Sequence, residues 1–118
     1  MNIEDVKLNL IDTLNLLIIY NKNEDLIKCN IEDLEGDCYT FLHEKNLKLL
    51  LNQSYLSKDL YSSIIDLRTN ILKVDKKFWN YEYFINGSEW MLLRDKTVLI
   101  LDKLKLDVAF YDKNQIKI

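Results

Sequence analysis

Proline is absent from this 118-residue chain, and glycine occurs only at Gly36 and Gly87. A sandwich or barrel of short strands needs many tight turns, and tight turns draw on those two residues. Their scarcity favours helices joined by polar connectors. Histidine occurs once, at His43, so any Ser–His or Cys–His system would have to be built on it. No GxSxG elbow is present, no arginine precedes His43, and Phe41-Leu42-His43-Glu44 reads as part of a helix. The lone histidine also excludes the standard di-metal carboxylate bundle, which uses Glu-x-x-His on two helices. Two isolated glycines cannot build a phosphate-cradling loop.

Cysteine is scarce too. Cys29 and Cys38 stand alone, without the four close ligands of a structural zinc site, and read as small buried hydrophobes. The apolar run Leu14 to Tyr20 is broken by Asn15 and too short to span a bilayer. The start Met1-Asn2-Ile3-Glu4-Asp5 has no basic lead, so the expected location is the cytoplasm. With net charge −3 and only a small basic group at Lys73, Lys76 and Lys77, direct nucleic-acid binding is not expected. No cofactor, metal or catalytic residue is expected.

The 48% of hydrophobic residues can supply the core of one domain of this length. Asn2 reads as the N-cap of a helix over 3–21, with Ile3, Val6, Leu10, Leu14, Leu17 and Ile18 on one face. A weaker segment, 24–35, is capped by Asn23, turns Leu26, Ile27, Ile31 and Leu34 inward, and stops at Gly36. A third helix is expected over 38–52, carrying Phe41, Leu42, Leu49 and Leu50. Ser57 caps a fourth, in which Leu60, Ile64, Leu67 and Ile71 repeat at helical spacing and Leu56 and Tyr61 make a staple. Asp75 opens a short helix bearing Phe78, Trp79 and Tyr83. Asn86-Gly87-Ser88 is a break, and Ser88 caps a last helix through Trp90, Leu93, Thr97, Ile100 and Leu104. The weak alternation of Val108 to Ile118 allows a short strand or an extended arm. The fold class is all-α: a single-domain bundle of five or six helices over 1–118 with a short extended C-terminal tail.

Charge is distributed unevenly. Glu24, Asp25, Glu32, Asp33, Glu35 and Asp37 fall in one stretch opposed only by Lys28, giving residues 24–37 a net −5 and the remainder +2. Unpaired carboxylates stay at the surface. As a helix, the segment turns Asp25, Glu32 and Asp33 outward and leaves Glu35 near a C-terminus, where the helix dipole disfavours it. The stretch serves either as a solvated face or as a docking patch for a basic partner. Tyr39 follows the acids, and tyrosine is frequent at binding hot spots. Trp79 and Trp90 read as core.

Leu60-Tyr61-x5-Leu67-Arg68, then Phe78-Trp79, then Ser88-Glu89-Trp90-x3-Arg94 resemble small helical immunity proteins of bacterial polymorphic toxins, including contact-dependent growth inhibition systems. The resemblance covers about residues 55–104 and implies a cytoplasmic protein that binds and neutralises a cognate toxin domain. Many such toxins are nucleases with basic surfaces, which an acidic face would complement. The acidic segment lies outside the resembling stretch, so its role as the partner-binding surface with Tyr39 follows from charge alone. A reading from another class is a helical regulatory or scaffold module that self-associates through its Leu-rich first helix.

Overall fold

Residues 2–106 and Phe110 are described by a computed structural model. Among these residues, six α-helices run in order: α1 Ile3–Asn15, α2 Glu24–Thr40, α3 Glu44–Asn52, α4 Lys58–Lys73, α5 Tyr81–Asn86 and α6 Ser88–Leu106. A 3-10 turn, Lys76–Phe78, sits between α4 and α5. No strand occurs among the described residues, so the chain is an all-α bundle. The expected strand or arm after Val108 lies outside the described residues, apart from Phe110, which is buried.

Side-chain caps set most helix starts. The Asn2 side chain accepts from Asp5 N at 2.9 Å, Asn23 from Leu26 N at 2.8 Å, and Ser57 from Leu60 N at 3.2 Å. Asp75 and Asn80 accept in the same way at the 3-10 turn and α5. Each such cap contributes about 1 kcal/mol.

Helix boundaries depart from the apolar pattern at five places. The single short helix expected to open at Asp75 and carry Phe78, Trp79 and Tyr83 is instead a 3-10 turn, Lys76–Phe78, and a separate α5 capped by Asn80, with Trp79 between them. α1 ends at Asn15 rather than near residue 21, because the next residues tighten into i→i−3 bonds, Leu17 N to Leu14 O and Ile18 N to Asn15 O. Lys22 Nζ then caps the Asn15 carbonyl at 2.6 Å, and Asn21 takes a left-handed φ of 64°. α2 runs straight through Gly36 to Thr40, because Leu34 and Cys38 on either side are both fully buried. Gly36 is therefore an interior helix residue, not a stop. A Cβ there would meet nothing within 4 Å. Gly36→Ala is expected to stabilise the protein by about 0.5–1 kcal/mol, read as a rise in the urea midpoint.

The expected helix over 38–52 is split between α2 and α3. His43 lies at the split as an exposed N-cap, its Nδ1 accepting from Lys45 N at 3.1 Å. Ser88 is the first residue of α6 instead of its cap. Gly87 holds the capping position, its carbonyl accepting from Met91 N at 3.0 Å. A Cβ on Gly87 would lie 2.5 Å from the Tyr83 carbonyl oxygen, so glycine lets one residue join α5 to α6.

The core lies where α6 packs on α4 and α5, α2 packs on α4 and α5, and α3 bridges α1 and α4. Leu60, Ile64, Leu67 and Ile71 of α4 are all buried, as their spacing predicts. Leu26 and Leu49 are not: both are exposed, and Asn30 and Leu47 take the inward positions. Trp90 is fully buried and Trp79 is half-buried against it, edge to face with centroids 5.1 Å apart.

Two cations also belong to the frame. Arg94 is 5% exposed, donating from Nε to the Leu17 carbonyl at 2.8 Å and from Nη2 to the Phe84 carbonyl at 2.6 Å. Arg68 donates to the Cys38 carbonyl at 3.1 Å, serving one of the last carbonyls of α2 from α4. Among the described residues, no buried side-chain nitrogen or oxygen lacks a hydrogen-bond partner.

Candidate partner-binding face

α2 sorts its acids by angle around the helix axis. Ile27, Asn30, Ile31, Leu34 and Cys38 face the core, which leaves Asp25, Glu32 and Asp33 fully on the outer side. Asp25 and Glu32 are seven residues apart, about 10 Å along the axis at 1.5 Å per residue. None of the three forms an ion pair among the described residues, where Glu24 and Glu35 do.

The remaining acids lie on the flanks and are partly committed within the fold. Glu24 pairs with Lys28 at 2.8 Å, and Lys28 Nζ also lies 5.9 Å from the centre of the Tyr81 ring. Glu35 pairs with Lys76 of the 3-10 turn. It lies mid-helix, not at a C-terminus, so the unfavourable dipole position expected for it does not arise. Asp37 is partly buried, and its pKa is raised by that burial first and then by the neighbouring Asp33 carboxylate.

The sign of the Asp37 shift fixes a pH response. A carboxyl with a raised folded pKa binds its proton more tightly in the native state, so its ionisation costs stability above that pKa. Asp37→Asn is thus expected to raise the urea midpoint near neutral pH. The gain should shrink as the pH falls through the folded pKa towards about 4, where the wild-type carboxyl protonates.

Tyr39 closes the face at the C-terminal end of α2. It is 56% exposed, with the Arg68 guanidinium carbon 5.8 Å from its ring centre. An exposed tyrosine steadied by an arginine beneath is a low-entropy contact surface for a partner. Tyr83 is also exposed, whereas Tyr55, Tyr61 and Tyr81 pack against the core.

The cysteines divide. Cys38 is buried, and that burial pushes its thiol pKa up to about 12, so it stays protonated and unreactive at neutral pH. Cys29 is exposed on the outer side of α2, contrary to the expectation that both are buried, because its angle falls among the outward acids. His43 is occupied as a helix cap. Among the described residues, no group of three or more His, Cys, Asp or Glu is placed to hold a metal ion. None of the described helices is long and apolar enough to cross a membrane.

Two of the resembling positions, Arg68 and Arg94, donate to backbone carbonyls within the fold. Arg94 was detectable in principle: it stands among Trp90, Leu93 and Thr97 on the inward stripe of α6, an unusual place for a charge.

Likeness to known proteins is slight. No family profile matches the chain. No solved structure matches it. Over 89 residues it is 27% identical to elongation factor P of Wigglesworthia glossinidia brevipalpis, covering 72% of this chain. The chain thus spans 42% of the length of that relative.

Proposed function

We propose that the protein is an immunity protein, which binds a basic toxin domain through the outer face of α2 and neutralises it. The observation that carries this reading is the set of outward, unpaired carboxylates on Asp25, Glu32 and Asp33, ending at the exposed Tyr39. Glu24, Glu35 and Asp37 flank them and add to the negative field. Burial first, and then the neighbouring Asp33 carboxylate, raises the Asp37 pKa, and a basic partner would relieve the second of these costs. Complementary charge would also speed encounter with a nuclease-type surface. The protein acts by occupying a surface, with no catalytic step of its own, and it works in the cytoplasm.

Co-expression gives the test. Tagged protein is used to capture partners from its native lysate at moderate salt, and a captured toxin domain is then assayed for killing. The triple variant Asp25→Lys, Glu32→Lys, Asp33→Lys should associate at least about tenfold more slowly, most visibly at low salt. It should also fail to protect cells. Full protection and unchanged binding by the triple variant would move the interface off α2. Failure to retain any toxin-like protein would end the immunity reading.

In the alternative, self-association through the first helix, Val6, Leu10 and Leu14 are already buried in the core and Leu8 is the exposed leucine of α1. A different helix carries an unpartnered apolar stripe.

A further inference from the structure

α6 is apolar on two sides. Trp90, Leu93, Ile100, Leu101 and Leu104 face the core, as expected for the main packing helix. On its outer side, Leu92, Leu99 and Leu106 are 58%, 61% and 83% exposed. These three leucines recur at intervals of seven, so they form one straight seam, the spacing at which two helices pair. A one-sided surface helix would carry polar residues there.

Charge is sorted to the two sides of this seam. At 3.6 residues per turn, Asp95 and Asp102 lie about 40–60° from Leu99 on one side. Lys96 and Lys103 lie about as far away on the other. One flank is acidic and the opposite flank is basic. None of the four charges forms an ion pair among the described residues, where Lys7, Lys28, Lys48 and Lys76 do.

This sorting decides how a second copy can lie on the seam. When the two-fold axis runs along the helices, the two copies of α6 are parallel and each flank faces the opposite flank of the other copy. Asp95 then stands beside Lys96 of the second copy, and Asp102 beside its Lys103. Each such pair is one residue apart in height, about 1.5 Å. Leu92, Leu99 and Leu106 each meet their own counterpart. Turning one copy end for end sets acid against acid and base against base along the whole seam, which repels.

The ground beside the basic flank is hollow. Two shallow pockets, of about 230 and 280 Å³, lie between α4 and α6. Lys96 lines both, Leu99 and Lys103 line the first, and Leu92 lines the second, so they continue into one groove. Lys73 of α4 adds a third cation to its walls, against the acids Asp66 and Glu89. In the parallel pair the two α4 helices lie on opposite sides, and each groove receives the acidic flank of the other α6.

We propose that the protein forms a parallel homodimer through α6, its two-fold axis running along the Leu92–Leu99–Leu106 seam. Asp95–Lys96 and Asp102–Lys103 pairs between the copies close both flanks. The occupant is a second copy because α6 itself carries both halves of the charge pattern, at matching heights, beside the same apolar seam. This interface uses a different helix from the α2 face, and it stands or falls independently of the immunity reading.

The full chain is measured by sedimentation velocity from about 1 to 200 µM, a range that spans weak to moderate dimers. A rise to twice the monomer mass is expected, and Leu99→Lys should weaken the association at least about tenfold. Direction is read by disulfide trapping in a Cys29→Ser background. Leu92→Cys should cross-link to itself, as should Leu106→Cys, and a mixture of the two should give no mixed cross-link.

Charge changes complete the test. Asp95→Lys with Asp102→Lys makes both flanks basic, and Lys96→Asp with Lys103→Asp makes both acidic. Each protein alone should associate at least about tenfold more weakly than wild type, and mixing the two should restore a dimer. All these side chains lie on the outer side of α6, and an unchanged helical circular dichroism spectrum verifies the fold. A monomer mass for the wild type across the whole range overturns the proposal and leaves the seam to a helix of another protein. So does a dimer indifferent to Leu99→Lys or to the charge changes, or one in which Leu92→Cys pairs with Leu106→Cys.

Discussion

Replacing Arg94 by alanine is expected to lower the unfolding free energy by about 3–5 kcal/mol, the largest effect of any charged residue in the chain. The guanidinium joins three parts of the fold at once. Its Nε serves the carbonyl of Leu17 beyond α1, its Nη2 serves the carbonyl of Phe84 in α5, and its central carbon lies 4.8 Å from the Phe84 ring centre. Removing it strands two carbonyls in a dry site and opens a cavity. Burial lowers the arginine pKa, and Tyr20 and Asp95 partly offset this by favouring the charged form. Arg94→Met separates the contributions, because it fills much of the volume and leaves both carbonyls unserved. It should recover only the packing part, so thermal unfolding should rank wild type above Met and Met above Ala. Equal stability of Met and wild type would show that the two hydrogen bonds contribute nothing net.

Trp90→Ala should cost a similar amount, about 3–5 kcal/mol, by a different route. Trp90 is fully buried, its indole N–H donates to the Phe78 carbonyl at 2.8 Å, and its ring meets Trp79 and Phe84 at centroid distances of 5.1 and 4.9 Å. It is the common neighbour that holds the 3-10 turn, α5 and α6 together. Trp90→Phe retains part of the ring contact and loses the hydrogen bond, so it should fall between the two. The check is the urea midpoint. The alanine variant should also show Trp79 fluorescence shifted to the red, because half-buried Trp79 loses a neighbouring ring. An alanine variant within about 1 kcal/mol of wild type would contradict this packing, since losing a buried indole forfeits its transfer free energy and leaves a cavity besides.

Where a local signal and the core agreed, the sequence was readable. Ser57 supplies a capping oxygen, the residues after it repeat at helical spacing, and all four apolar positions of α4 are buried. Asn2 and Asn23 are read correctly as caps for the same reason: a short polar side chain stands just before a stretch able to be helical. Asp75 caps only the 3-10 turn, and α5 takes its cap from Asn80, which the sequence reading did not single out. Gly36 misled because its preference for a stop is worth about 1 kcal/mol, less than the packing of Leu34 and Cys38 on either side. The end of α1 was hidden because its apolar spacing continues through Ile18 and Ile19, while the chain itself turns. The turn is set by Lys22 reaching back to Asn15, a seven-residue contact that no periodicity records.

The candidate face was legible in part. Helical spacing alone sends Asp25, Glu32 and Asp33 outward, and the fold keeps them there. Pairing was not legible, because Glu35 meets Lys76 across 41 residues of sequence. Nor were the partners of Arg94, which lie in the turn after α1 and in α5.

The bond between Arg94 and Leu17 also orders events during synthesis. Its ends are 77 residues apart in the chain, so at 5–20 residues per second the Leu17 carbonyl is made about 4–15 s before the arginine that will cover it. Until α6 has left the ribosome, the turn after α1 is missing its partner and the apolar face of Leu17 is unprotected. A nascent chain stalled before residue 94 is therefore a natural client for chaperones, and a messenger truncated there would yield a protein that proteases remove.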